Sequence, residues 1–345
     1  MECFSGTVIT SDGPVYGYVL IENGSVREIR EGPCPETPTS EGIVMPPLVN
    51  GHSHCADCGV KIPNNMNLDG LVGPGGLKHD YLSKASKETL SENMRRYSEI
   101  SHTNGIGTFI DFREGGAEGC RLLRETVPGA FIMGRPVSDM FDPNEIDGIL
   151  ETADGIGLSG IGDMPYAYIE SVADYVRSKG RMFAIHASEG KREDIDRILA
   201  LSPSFVVHMA SATKKDLVRC ADENVPIVVC PRSNRFFGLT PPLALMEECN
   251  NETILGTDNA MLCSPDLREE AREYVSVLKS QGGTGERIWD TLVANGRKIL
   301  YHERGIGLHP GIDADITIFP SDDGSVRGML GSNGRIMRFN MTRRR

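Results

Sequence analysis

The chain has 345 residues, 39% of them hydrophobic and 24% charged, and a formal net charge of −12. This is the composition of a soluble globular protein. The acidic balance excludes a nucleic-acid polymer or an anionic membrane as the main partner, because both demand a basic face. The length holds either two ordinary domains or one barrel of roughly 250 residues with an appendage. No run of 18 apolar residues occurs that could span a membrane. The opening MECFSGTVITSDG lacks the charged start and apolar core of a secretory signal, so a cytoplasmic protein is expected. The nine cysteines, an odd number scattered along the chain, are expected to be reduced thiols and not a disulfide framework. The closing MTRRR reads as a solvated end.

Residues 7–30 alternate polar and apolar around ENGS, and Asn-Gly between two such runs signals a hairpin. The Pro-rich GPCPETPTS (32–40) reads as a linker. From about residue 44 short apolar runs alternate with amphipathic stretches. The predicted strands are IVMPPLVNGHSH, GIGTFIDFRE, AFIMGRP, GIGLSGIG, RMFAIHASE, SFVVHMA, PIVVCPRSN and TILGTDNA. Helical stretches such as YAYIESVADYVRSKG, KREDIDRILA, KKDLVRCADENV and LREEAREYVSVLKS lie between them. Eight strands alternating with helices predict an α/β fold with a parallel sheet, and eight is the count that closes a (β/α)8 TIM barrel. A doubly wound open sheet is the alternative. It usually has fewer strands and a Gly-rich first turn, and the GPGG at 73–76 follows no strand at the correct distance. After the barrel, GIDADITIF (311–319) reads as a further strand followed by a Gly-rich tail. No internal repeat or low-complexity segment is present.

Eight histidines occur, at positions 52, 54, 79, 102, 186, 208, 302 and 309. Four fall at or near the C-terminal ends of predicted strands: His52 and His54 on strand 1, His186 on strand 5, His208 on strand 6. Asp258 ends strand 8. Strand ends converge on one rim of a barrel, where its active sites sit. Residues two apart on a strand share a face, so His52 and His54 point the same way. With His186 and Asp258 they make a three-nitrogen, one-oxygen site suited to zinc or ferrous iron, with a position open for water. Cys55 has the opposite parity to His54, and the chain has no second C-x-x-C to complete a structural zinc site. Cys55 and Cys58 are therefore read as ordinary thiols. Glu189, three residues after His186 in HASE, could reach a substrate as a proton donor; a helix-starting acid in SEGKRED is the plainer reading. The remaining four histidines are assigned no role.

The set MPPLVNGHSH, HASE, VVHM, VCPRSN and LGTDNA, in this order and on these strands, resembles the amidohydrolase superfamily. It is most similar to the cytosine-deaminase-like and chlorohydrolase-like branch, which includes guanine, S-adenosylhomocysteine and triazine aminohydrolases. VLIENGSVREI and IGLHPGIDADITIF resemble the same branch. The resemblance implies a barrel over 46–309 and a small β-sandwich built from 1–45 and 310–345. It implies one divalent metal, zinc first and iron as the alternative, held by His52, His54, His186 and Asp258. A water would lose its proton to Asp258 or His208, Glu189 would protonate a ring nitrogen, His208 would polarise the reacting oxygen, and Asn234 would orient its neighbours. Two-metal members use a carboxylated lysine on strand 4; GIGLSGIG has none, so a single metal is expected. A small-molecule substrate and a homo-oligomer follow from the same likeness. The loop over 56–83 matches no substrate-specific member, and Lys78, Arg113 and Arg135 are candidates to meet an anionic substrate group. The leading expectation is a hydrolytic deaminase of an aminated purine, pyrimidine or related heterocycle. The alternatives are a cyclic amidase or chlorohydrolase, and a non-catalytic binding protein on the same fold.

Overall fold

The structure is a computed structural model that describes residues 1–63, 66–73, 75–301 and 307–340. His302, the terminal arginines, and Asn64, Asn65 and Pro74 of the 56–83 loop lie outside the described residues. The chain forms two compact units. One comprises Met1–Val49, Ser101–Gly107 and Ile288–Arg345, the other Asn50–Ile100 and Thr108–Arg287.

The first unit opens with β1 (Glu2–Thr10), β2 (Gly13–Glu22), β3 (Ser25–Glu31) and β4 (Ser40–Met45). Asn23 and Gly24 turn β2 into β3 with φ of 51° and 77°. That is the left-handed pair a two-residue hairpin needs, and it explains Asn-Gly here. The linker read over 32–40 carries no strand before Ser40. It does carry Cys34, which forms a disulfide with Cys3 of β1. This corrects the expectation of wholly reduced thiols. The pairing depends on how the linker returns to β1, where Thr39 N donates to Cys3 O at 2.7 Å, and an odd cysteine count does not reveal that. The other seven cysteines are free.

The apolar run read as one strand over 43–54 breaks at Pro46-Pro47, because proline has no N–H for a ladder. β4 ends before it and β5 (Leu48–His54) begins after it. There follow β6 (Ile106–Arg113), β7 (Phe131–Gly134), β8 (Gly155–Leu158), β9 (Met182–Ala187), β10 (Phe205–His208), β11 (Ile227–Val229), β12 (Thr253–Leu255) and β13 (Asp258–Asn259). They form one sheet in the order β12-β11-β10-β9-β8-β7-β6-β5-β13. The two ends of that order are neighbours in the chain. Between them lie only Gly256, whose N donates to Val229 O at 3.0 Å, and Thr257, whose N donates to His52 O at 3.0 Å. The sheet therefore curls until a single stretch, 253–259, bonds to both β11 and β5. Gly256 is required there: a Cβ would lie 2.9 Å from His52 Cβ and 2.8 Å from Val228.

β8, β10 and β11 are buried at every residue, as befits parallel strands covered on both faces. The covering helices show the matching period. Tyr166–Ser178 buries Tyr168, Ile169, Val172, Ala173 and Val176, one stripe of a 3.6-residue repeat. Lys214–Asp222 starts on a capping box in which Thr213 and Asp216 satisfy each other's backbone N–H.

The chain ends with β14 (Asp315–Phe319), a helix Val326–Gly331 and β15 (Met337–Asn340); the last two occupy what the sequence suggested was a plain Gly-rich tail. Both chain ends share one sheet, ordered β15-β14-β4-β1-β2-β3. The expected β-sandwich thus takes the form of a single six-stranded layer. Its core joins Phe4, Val8, Val19, Ile21, Val26, Val44, Ile316 and Ile318. No helix among the described residues is long and apolar enough to cross a membrane.

Candidate active site

His52 and His54 project from one face of β5, their ring centroids 4.9 Å apart. The pairing of β13 with β5 sets Asp258 opposite Ser53, which brings its carboxylate to both rings. His52 Nε2 lies 3.3 Å and His54 Nε2 3.6 Å from Asp258 Oδ1. From β9, His186 Nε2 approaches His52 Nε2 at 3.2 Å. His208 ends β10 and joins the group: the ligand atoms of His52, His186 and His208 lie within 4.8 Å of one another, as do those of His52, His54 and Asp258. The structure thus brings together every residue that the sequence suggested as a ligand, with His208 beside them.

The hydrogen bonds behind the rings fix which nitrogens face inward. His186 Nδ1 lies 2.8 Å from Leu158 O and His54 Nδ1 3.0 Å from Phe112 O. A carbonyl only accepts, so Nδ1 carries the hydrogen and Nε2 presents its lone pair. Burial drives His52 and His208 down to about 4, and pushes His186 well below the usual imidazole range. At neutral pH these rings are neutral, the form that binds a metal. Burial raises the Asp258 carboxyl, but His52, His208 and His54 together hold it well below its ordinary value. Ser233 Oγ donates to its Oδ2 at 2.5 Å and Asn259 Nδ2 to its Oδ1 at 2.8 Å. Converging lone pairs around a buried anion fit a divalent ion such as zinc or ferrous iron.

The backbone here is unusual. Ser188, His208, Met209 and Asp258 have φ of 47°, 78°, 52° and 58°. Non-glycine residues in this left-handed region cost of order 1–3 kcal/mol each, and such residues cluster at functional sites. The turn after β9 is held by Glu193: Ser188 N donates to its Oε2 at 2.9 Å and Gly162 N to its Oε1 at 2.9 Å. The helix that follows is capped by Asp194. Neither task falls to Glu189, whose Oε1 instead lies 3.5 Å from His208 Nε2. Burial, then the Asp258 charge, pushes its carboxyl up to about 8. The Asn234 amide lies 3.3 Å from His208 Nδ1 and steadies that ring from behind.

No family model matches the chain. A protein of Archaeoglobus fulgidus provisionally named an aminohydrolase is 33% identical over 272 residues, 78% of each chain. The chain belongs to the amidohydrolase superfamily. Solved structures with the same fold include an adenosine deaminase from Xanthomonas campestris with bound zinc, at a TM-score of 0.80 and 13% identity, covering 98% of this chain and 91% of that one. Another is an atrazine chlorohydrolase from Arthrobacter aurescens TC1 complexed with zinc, at a TM-score of 0.70 and 14% identity, covering 93% and 88%.

In this amidohydrolase a cavity of about 500 Å³ opens over the strand ends, lined by His54, His186, His208, Glu189 and Asp258 among others. Lys78 and Arg135 also line it. Arg113 does not: it is buried, with Nη2 2.7 Å from Glu114 Oε2 and Nη1 3.6 Å from Asp111 Oδ1. Lys78 faces the cavity, yet its Nζ lies 2.6 Å from Glu114 Oε1. That same Oε1 lies 3.1 Å from His54 Nδ1. Glu114 therefore sets a carboxylate behind a candidate ligand whose Nδ1 hydrogen goes to Phe112 O, and its charge favours that tautomer and raises the ring's basicity. Burial raises the Glu114 carboxyl, and Lys78, His54 and Arg113 outweigh it, holding the carboxyl well below its usual value. The sequence reading passed over Glu114. The available signal was its place in DFRE, one residue past β6 and so on the same rim as the histidines. Cys55 is buried and its N donates to Asp111 Oδ2 at 2.6 Å; among the described residues neither Cys55 nor Cys58 belongs to a ligand group.

Proposed function

We propose that this amidohydrolase is a mononuclear hydrolytic deaminase that releases ammonia from an aminated purine, pyrimidine or related heterocycle. The observation that carries the reading is the placement of Glu189, whose carboxyl lines the cavity 3.5 Å from His208 beside the histidine–aspartate group. We read the curled sheet as a closed (β/α)8 barrel, with the group at its C-terminal rim. His52, His54, His186 and Asp258 would hold one zinc or iron. Bound there, the ion supplies Lewis acidity and brings a water's pKa toward 7.

The protein's own groups account for the proton traffic. Asp258, ionised and fixed by Ser233 and Asn259, takes the proton that the attacking water loses. Glu189 donates its proton to the ring nitrogen beside the amino-bearing carbon, which makes that carbon electrophilic. His208 hydrogen-bonds the oxygen as it adds. The proton held by Asp258 then passes to the amino group, the C–N bond breaks and ammonia leaves, while the added hydroxyl becomes a ring carbonyl and its proton returns to Glu189. Water is consumed and no redox partner is needed. The absence of a lysine on β8 supports a single ion.

The test is ammonia release from adenine, guanine and cytosine derivatives, their nucleosides and pterins, by metal-loaded protein and by Glu189→Gln. The variant is expected to lose about 10²- to 10⁴-fold in rate while still binding substrate. Ring opening or halide release without ammonia from wild type would replace the reading with a cyclic amidase or chlorohydrolase.

A further inference from the structure

Among the charged side chains of the cavity wall that are withdrawn from water, Arg135 stands out. Lys78 is taken by Glu114. Glu193 accepts the amides of Ser188 and Gly162. Asp258 and Glu189 belong to the chemistry above. Asp69, Asp163 and Lys191 are exposed, where water screens them. Arg135 is half-buried. The polar contact of its guanidinium is Nη2 to the neutral Ser159 Oγ at 3.2 Å, and no carboxylate pairs with it among the described residues.

A guanidinium has five donors in a planar fork and does not lose its charge. Three other arginines withdrawn from water meet a carboxylate: Arg113 meets Glu114, Arg124 meets Asp154 and Arg338 meets Asp315. We propose that the missing partner of Arg135 comes with the substrate, as a phosphate or carboxylate group on the aminated heterocycle. This rests on the deaminase reading. Arg135 would then select anionic substrates over their neutral counterparts.

The surroundings suit such a group. Ser159, whose hydroxyl meets the guanidinium, is the first residue after β8. The fork of Arg135 and the Ser159 hydroxyl can both donate to one oxyanion, and bidentate arginine–anion contacts are shorter and stronger than neutral ones. The same cavity also presents Leu68, Val72, Phe237 and Leu239, which suit an apolar ring face.

Matched pairs test this in the metal-loaded full chain: adenosine and adenosine 5′-monophosphate, cytidine and cytidine 5′-monophosphate, pterin and pterin-6-carboxylate. Both ammonia release and equilibrium binding by calorimetry would be measured for wild type, Arg135→Met and Arg135→Lys. Wild type is expected to prefer the charged member of at least one pair. Arg135→Met should lower kcat/KM or affinity for it by about ten- to a hundred-fold, through KM, with the neutral member changed less than about twofold. Arg135→Lys should fall between, since it keeps the charge and loses the fork. Nucleotides against the pterin acid distinguish phosphate from carboxylate. If no charged compound outbinds its neutral partner, or if Arg135→Met weakens both equally, the proposal is overturned. If no ammonia appears but Arg135-dependent anion binding persists, the anion site stands and the deaminase reading falls.

Discussion

The six-stranded sheet and the ends of the parallel strands bury opposite kinds of side chain. The sheet's core is Phe4, Val8, Val19, Ile21, Val26, Val44, Ile316 and Ile318, and among its described residues the one non-glycine at positive φ is Asn23, in a turn that calls for it. The rim of the parallel sheet buries His52, His54, Asp57, Lys78, Asp111, Arg113, His208 and Asp258, and it carries Ser188, His208, Met209 and Asp258 in left-handed backbone. A buried charge is costly unless paired, and strained backbone persists only where the surroundings over-determine it. The first region is built for stability. The second gives up stability to hold a few polar atoms in one place. Substitutions should separate the two cleanly.

The largest effect is expected at Asp258. Asp258→Ala removes the proposed metal ligand and proton acceptor together, so ammonia release should fall by at least about 10⁴-fold. Bound metal per chain, read by elemental analysis, should drop while far-ultraviolet circular dichroism stays native. Activity within tenfold of wild type would remove Asp258 from the chemistry. In the six-stranded sheet the sign of the contrast reverses. Ile316→Ala leaves a cavity among fully buried neighbours and should cost about 2–5 kcal/mol of stability. Its urea midpoint should fall, and kcat of the protein that remains folded should not. A loss of kcat with an unchanged midpoint would break the division of labour.

Glu114 tests the boundary between the two kinds of role, because it touches a candidate ligand and no cavity chemistry of its own. Glu114→Gln should weaken metal binding by about 10- to 100-fold, measured by chelator competition. Lys78→Met should shift it in the same direction, since Nζ is one of the charges that keep Glu114 ionised. Unchanged metal affinity in both variants would reduce the Lys78–Glu114–His54 chain to packing.

That chain also marks where the sequence stopped being readable. The H-x-H pair was legible because strand parity is local: two residues apart means one face. His186, His208 and Asp258 were legible because each ends a short apolar run, and a parallel α/β sheet gathers such ends on one rim. The Asn-Gly hairpin was legible because two successive positive φ values leave few other residues as candidates. Lys78 and Arg113 both looked like exposed cations near a rim, but each is neutralised by Glu114. For Lys78 that partner lies 36 positions away in the chain, and no local pattern announces the contact. The Cys3–Cys34 disulfide failed to show for the same reason. Long-range pairing through an irregular segment leaves no period in the sequence.

The smallest effect is a slope. Glu270, on the helix Leu267–Ser280, is fully buried, and burial raises its carboxyl to about 8. Arg232 opposes that shift, with its backbone N 2.7 Å from Oε1 and its Nη1 3.6 Å from Oε2, while the charges of Asp258 and Glu273 reinforce it. The sign follows from which state loses the proton first. An unfolded glutamate ionises near 4.5 and the folded one near 8, so between these values the unfolded chain holds fewer protons. Stability must therefore fall as pH rises through this window, by at most about 1.4 kcal/mol per pH unit from this group. Glu270→Gln removes the titration. Denaturation midpoints at about pH 5.5, 6.5 and 7.5 should then decline less steeply in the variant than in wild type. Parallel slopes would mean that Arg232 keeps Glu270 ionised in the folded protein, and that even this buried carboxylate, behind the rim, is paired as tightly as Glu114 is beside His54.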